Sequence, residues 1–98
     1  MKNINSKKII NKIEERKQDI KKYGVKKIGL FGSFVKGKQH KKSDVDIIVT
    51  FENIDFDTYI GLKLMLEKMF GRNVDLVIEK DLRPELKDIK KEIKYVKL

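Results

Sequence analysis

Apolar residues recur near helical spacing in three parts of the chain, each bounded by residues that begin or end helices. In the first, isoleucines alternate with Lys and Glu, Asn5 or Ser6 is a suitable N-cap, and Gly24 follows the last turn. In the second, an aspartate precedes a broad apolar face that ends at Gly71, and in the third Pro84 occupies the first helical position. The pattern therefore predicts helices over about 5–23, 56–70 and 84–96.

Three shorter segments are rich in β-branched and apolar residues, which is typical of buried strands. They cover residues 27–31, 44–51 and 73–79. The order of elements, α-β-β-α-β-α, predicts an α/β fold in which helices pack on a small, mixed, three-stranded sheet. With 98 residues there is room for one domain, an N-terminal helix followed by a core over about 26–96.

The composition removes several classes of protein from consideration. The chain has no cysteine, so it is neither a disulfide-stapled scaffold nor a thiolate metal site, and its one histidine, His40, is expected to be an ordinary loop residue. No apolar run is long enough for a membrane span, and the N-terminus lacks the pattern of a signal peptide. We therefore expect a cytoplasmic protein. If it binds a metal ion, we expect carboxylates to be the ligands.

The net charge of +9 is distributed unevenly. Residues 1–43 carry 14 Lys and Arg against 3 Asp and Glu, whereas residues 44–98 carry 10 against 12. A basic half attracts nucleotide phosphates, RNA or an acidic protein. Because 21 of the 24 cations are Lys, which lacks the planar fork that reads base edges, nucleic-acid binding is possible but not favoured. A lysine-rich surface kept for solubility explains many of these residues equally well.

Two aspartates at the start of the second strand are the most informative exception to the apolar pattern. Asp44 and Asp46 alternate with apolar residues, so they project from one face with α-carbons roughly 6.6 Å apart. Asp75 interrupts the third strand in the same way. If the two strands are adjacent, the three carboxylates can hold a pair of Mg²⁺ ions. Solvent-facing acids at a strand edge are the alternative.

The first strand opens into Gly32-Ser33, a turn suited to phosphate. Glycine lets the backbone approach a ligand closely, and the following amides with the Ser33 hydroxyl can bind phosphate oxygens. Lys36, one helical turn further on, can add positive charge to the same phosphates. The residues thus predict a nucleotide-binding site composed of Gly32, Ser33 and Lys36.

The motif GSF at 32–34, DVD at 44–46 followed by an apolar strand, and the later Asp75 together resemble the signature of the DNA polymerase β-type nucleotidyltransferase superfamily. The resemblance is greatest to its minimal nucleotidyltransferase (MNT) branch and extends over nearly the whole chain, including LRPEL at 82–86. Where that family commonly has Arg, this chain has Lys36, a point charge in place of a bidentate phosphate clamp.

The resemblance implies a Mg²⁺-dependent transfer of AMP from ATP to a hydroxyl. It implies that Asp44, Asp46 and Asp75 are catalytic and bind two metal ions, with Asp75 helping to deprotonate the acceptor, and that Gly32 and Ser33 hold the triphosphate. It also implies a partner, a HEPN-domain toxin whose tyrosine accepts AMP, so that this chain acts as a protein adenylyltransferase (AMPylase) antitoxin. Two alternatives stay open: a non-catalytic antitoxin that works by binding, and a transferase acting on a small molecule or an RNA end. The acceptor, the nucleotide preference, the number of AMP units and the oligomeric state are not determined by the sequence.

Overall fold

In the computed structural model, which describes residues 4–39, 43–81 and 92–98, four strands form one mixed sheet. They are β1 (Val25–Phe31), β2 (Val45–Phe51), β3 (Val74–Ile78) and β4 (Lys94–Val96), in the spatial order β3-β2-β1-β4. The β1 strand is antiparallel to β2 and to β4, whereas β2 and β3 are parallel. The predicted α/β class and mixed sheet are confirmed.

The predicted number of three strands is wrong, because Lys94–Val96 forms a fourth strand against residues 28–30 of β1. Sequence analysis placed residues 94–96 at the end of the last helix, since Ile89, Ile93 and Val96 are spaced like one helix face. Backbone pairing with the open edge of β1 overrides that local pattern. The start of the predicted helix at Pro84, the LRPEL segment and His40 lie outside the described residues.

The described residues confirm the first two predicted helices and add a short helix over Ser33–Lys36, where the sequence predicted a turn. The helices are α1 (Ser6–Glu15), α2 (Lys17–Lys21), α3 (Ser33–Lys36) and α4 (Phe56–Phe70), and a 3-10 turn covers Glu79–Asp81. The side chain of Asn5 caps α1 by accepting from the Lys8 N–H at 2.9 Å, and Asp55 caps α4 by accepting from the Thr58 N–H at 2.7 Å. The predicted N-terminal helix is present but divided at Arg16.

One hydrophobic core joins the helices to a single face of the sheet. The alternate β2 residues Val45, Ile47 and Val49 are at most 1% exposed and belong to this core. Leu62, Leu66 and Phe70, one row of α4, are fully buried against it. The intervening β2 residues therefore face the other side of the sheet, and Asp46 is one of them.

A polar cluster crosses that other face at the end of the strands away from Asp46. Glu79 accepts hydrogen bonds from the Thr50 hydroxyl at 3.3 Å and from the Tyr95 hydroxyl, and it pairs with Lys27 at 3.5 Å. The Lys27 ammonium lies 4.3 Å from the centre of the Tyr95 ring. The cluster thus connects β1, β2 and β4 to the end of β3.

Within the described ranges no helix is both long and apolar enough to cross a bilayer.

Candidate active site

The register of the parallel strands places Asp46 of β2 directly beside Asp75 of β3. Neighbouring strands are about 4.8 Å apart, so two side chains at paired positions on the same face are close. Asp44 is exposed and lies immediately before β2, two residues from Asp46. Residues from three separate stretches of the sequence are thereby gathered at one end of the sheet, since Phe31, at the end of β1, pairs with Asp46 on its other side.

The turn after β1 packs directly on the Asp46 carboxylate. Gly32 has a φ of 78° and a ψ of −148°, a conformation that glycine adopts far more readily than other residues. A β-carbon on Gly32 would lie 2.1 Å from Asp46 Oδ2, well inside van der Waals contact. The backbone N–H of Ser33 donates a hydrogen bond to Asp46. The sequence-predicted turn and the first aspartate pair are therefore parts of one site.

The electrostatics of the site are dominated by carboxylates. The pKa of Asp46 is raised to about 6, first by burial and then by the negative charges of Asp75 and Asp44, against the lowering effect of the Ser33 N–H. A carboxylate shifted in this direction is in surroundings that favour either a proton or a cation. Strongly perturbed acids of this kind are common at functional sites.

The oxygen donors of the site suit a divalent cation, but the described carboxylates are not already arranged as a metal site. Among the described residues, no group of three or more His, Cys, Asp and Glu is arranged so that it could hold a metal ion as it stands. Mg²⁺ uses one or two carboxylates together with water and substrate phosphates, and Asp46 with Asp44 or Asp75 offers that many oxygen ligands. The assignment of all three aspartates as metal ligands stays a prediction.

Lys36 ends α3 and has a different partner from the one predicted. Its Nζ atom lies 3.4 Å from Glu92 Oε2, and both side chains are about half exposed. Exposed ion pairs of this type contribute only about 0–1 kcal/mol, so a phosphate group can compete for the ammonium. The predicted contact between Lys36 and nucleotide therefore remains open to test.

Arg72 is a site residue that sequence reasoning missed. Its Nη1 donates to the Ser43 carbonyl at 3.2 Å, and its guanidinium lies 5.6 Å from the centre of the Phe34 ring. It thus links the chain entering β2, the α3 helix after the Gly32 turn, and the start of β3. The signal available in the sequence was the position of this rare arginine in Gly-Arg-Asn, directly before the strand that carries Asp75.

Comparison with known proteins agrees with this geometry. Residues 6–96 match the family model described as a nucleotidyltransferase domain. The chain is 40% identical over 83 residues to the protein adenylyltransferase MntA of Thermococcus cleftensis, covering 83% of this chain and 84% of the relative. A solved structure assigned as a minimal nucleotidyltransferase is 27% identical, with a TM-score of 0.81 and coverage of 96% and 98% of the two chains.

A second solved structure, a toxin–antitoxin with AMP-PNP, is 29% identical with a TM-score of 0.70, covering 88% of this chain and 70% of that one. The fold, the paired aspartates beside a Gly-Ser turn, and these matches define a nucleotidyltransferase. The chain belongs to the nucleotidyltransferase domain family, and within it to the minimal nucleotidyltransferases.

Proposed function

We propose that this nucleotidyltransferase moves AMP from ATP to a tyrosine hydroxyl of a HEPN-domain toxin and so acts as the antitoxin of that partner. The observation that carries the proposal is the packing of the Gly32-Ser33 turn against Asp46, which the strand register places beside Asp75. The similarity to a protein adenylyltransferase and to a toxin–antitoxin with AMP-PNP supports the choice of acceptor and nucleotide.

Each part of the site has a distinct task in such a transfer. The Ser33 hydroxyl and the amides that follow Gly32 bind oxygens of the β- and γ-phosphates, which fixes the α-phosphate over the strand ends. The acceptor oxygen forms a bond to the α-phosphorus, the bond from that phosphorus to the bridging oxygen breaks, and pyrophosphate leaves. The hydroxyl proton passes to Asp75, whose position beside Asp46 puts a carboxylate next to the reacting centre.

Mg²⁺ ions, held in the proposal by Asp44, Asp46 and Asp75, would neutralise the phosphate charge and lower the pKa of the acceptor hydroxyl. The protein's own contribution is to keep these oxygen donors on one face of a rigid sheet. Asp46 is fixed by its strand and by the Ser33 N–H, whereas Asp44 precedes the strand and is exposed. Asp46 is thus the better-positioned ligand.

The test is transfer of label from α-labelled ATP to a purified HEPN-domain toxin in the presence of Mg²⁺. We expect the unmodified chain to label the toxin, and replacement of Asp44→Asn together with Asp46→Asn to reduce labelling by at least about 10³-fold. Asp57→Asn is the matched control, because it removes one carboxylate from an exposed position in the first turn of α4, outside the site. It should label the toxin at the rate of the unmodified chain.

Three outcomes would contradict the proposal. Equal labelling by the Asp44 and Asp46 double variant would show that these carboxylates do not carry the transfer. Absence of labelling, combined with full neutralisation of the toxin by a stoichiometric amount of the double variant, would favour an antitoxin that acts by binding alone. Label on RNA ends or on a small molecule, with none on the toxin, would assign a different acceptor.

A further inference from the structure

The α4 helix has apolar residues on two opposite sides, and among the described residues only one of these sides is buried in the core. Leu62, Leu66 and Phe70 form the row that is buried in the core. Phe56, Ile60 and Leu64 repeat at the same four-residue spacing, about 200° around the helix from that row. Phe56 is 77% and Leu64 58% exposed. In the part of the chain that the structure describes, Phe56 and Leu64 of this outer row thus lie open to solvent, and an exposed apolar row of this kind marks an interaction surface.

A groove with basic walls adjoins that row at Leu64, between α4 and the α1–α2 segment. It consists of two adjoining cavities of about 430 and 560 Å³ that share Arg16, Met65 and Lys68. Leu64, Met65 and Met69 supply apolar lining, and the charged lining residues are four cations and two carboxylates: Lys12, Arg16, Lys22, Lys68, Glu15 and Asp19. We call this surface, together with the outer row of α4, the basic groove.

The charges in the groove are only partly neutralised by its own acids. Asp19 contacts Arg16 at 2.8 Å and Lys22 at 4.0 Å, and the lining as a whole keeps an excess of two positive charges. Methionine side chains are unbranched and adapt to the shape of an incoming apolar surface. A groove with an adaptable apolar floor and cationic rims is complementary to a helix that has apolar residues on one side and carboxylates along its edges.

We propose that the basic groove is a docking surface for an acidic amphipathic helix of a partner protein. A second copy of this chain is a poor occupant, since a two-fold contact would bring Lys22 and Lys68 of each copy toward the same cations of the other. RNA is also a poor occupant. Tyr23, the aromatic ring in the groove lining, packs against Gly61, where a β-carbon would be 3.0 Å from Tyr23 Cε1. Because the Tyr23 ring packs on Gly61, it is not available to stack on a nucleobase.

The position of the groove separates docking from catalysis. Asp46 alternates with the core residues of β2 and so faces away from α4. A partner held in the groove covers the helical side of the sheet and leaves the carboxylates accessible. The inference goes beyond the proposed transfer reaction, because it concerns a different surface and needs neither nucleotide nor metal.

The experiment measures binding of a synthetic helical peptide of about 18 residues, long enough to form a helix, with leucines at i, i+3, i+4 and i+7 and glutamates on the flanks. Fluorescence anisotropy of the labelled peptide with the full chain should show saturable binding that weakens as salt is added. Lys22→Glu with Lys68→Glu should weaken binding about tenfold or more, and Leu64→Ser should also weaken it. Lys80→Glu with Lys94→Glu, the same charge change at exposed positions outside the groove, should leave binding unchanged.

Circular dichroism of each variant checks that the fold is retained; both Lys22, 79% exposed at its side chain, and Leu64 are surface residues. The proposal is overturned if a matched peptide with lysine flanks binds equally well, or if the glutamate peptide fails to bind. It is also overturned if an RNA oligonucleotide displaces the peptide, or if Leu64→Ser abolishes self-association of the chain. Because nucleotide is absent, these failures would leave the proposed adenylyl transfer unaffected.

Discussion

Two features of the site restrict Gly32: its backbone conformation and its contact with the Asp46 carboxylate. Its φ of 78° and the 2.1 Å approach of a would-be β-carbon to Asp46 Oδ2 are separate constraints on one position. Gly37, five residues later, shares only the first constraint: its φ is 69°, and among the described residues other than its chain neighbours no heavy atom would lie within 4 Å of a β-carbon there. The two glycines therefore allow backbone strain to be separated from displacement of the Asp46 carboxylate.

We expect Gly32→Ala to lose far more activity than Gly37→Ala. Each places a β-carbon on a residue with positive φ, which costs on the order of 1–3 kcal/mol, and Gly32, with its ψ of −148° and its contact with Asp46, should lie at the upper end of that range. Only Gly32→Ala also moves the Asp46 carboxylate, and a displacement of about 1 Å can reduce the rate about 100-fold. Urea denaturation gives the stability of both variants, and transfer from labelled ATP gives their activity. Comparable activity in the two folded variants would contradict the close packing of Gly32 on Asp46.

The elements that sequence analysis predicted best are those with strong signals at both ends. The α4 helix extends over Phe56–Phe70, as predicted, because the Asp55 side chain caps one end and Gly71, with a φ of 64°, ends the other. The division of the N-terminal helix at Arg16 was not predicted, because no glycine or proline stands at that position. The β4 strand was missed because its three residues continue a helical spacing, and only the distant edge of β1 determines its conformation.

Two leucines on α4 test the assignment of its two sides. Leu66 is fully buried in the core, so Leu66→Ala should lower the free energy of unfolding by about 2–5 kcal/mol. Leu64, on the same helix and of the same residue type, is 58% exposed, and Leu64→Ala should change that free energy by no more than about 0.5 kcal/mol. Denaturant titration of both variants makes the comparison. A large loss for Leu64→Ala would show that its row is already covered in the isolated chain.

On the sheet face opposite the core, contacts between segments distant in sequence form the clusters at both ends of the strands. Asp46 and Asp75 become neighbours through the parallel pairing of β2 with β3, and the pairing register is a property of the sheet that no local pattern specifies. Lys36 meets Glu92 over a larger separation in sequence than Asp46 and Asp75, and Glu79 meets Tyr95 over a smaller one. The motif residues could therefore be named from the sequence, whereas the partners of Lys36 and the linking role of Arg72 could not.

The hydrogen bond from Tyr95 to Glu79 should stabilise the attachment of β4 in a pH-dependent way. Burial, with the nearby Glu79 carboxylate, raises the pKa of Tyr95 to about 12, against about 10 in an unfolded chain. A raised pKa in the folded state stabilises the fold fully below pH 10 and loses that contribution as pH rises toward 12. Tyr95→Phe should cost about 0.5–1.5 kcal/mol at neutral pH. Urea denaturation of both chains should show this difference shrinking above pH 10; a difference that is constant with pH would contradict the bond.

The stagger between β2 and β3 restricts where the chain can change its length. The Val45 N–H donates to the Asn73 carbonyl at 3.0 Å, and only residues 71–73 separate the end of α4 from β3. If the strand rather than the turn took up a residue inserted there, the pairing would shift by one position and Asp75 would turn toward the helices, because side chains alternate along a strand. The exposed connection between β2 and α4, residues 52–55, carries no such constraint on Asp46 and Asp75. An added residue in 52–55 should therefore disturb the site less than one in 71–73.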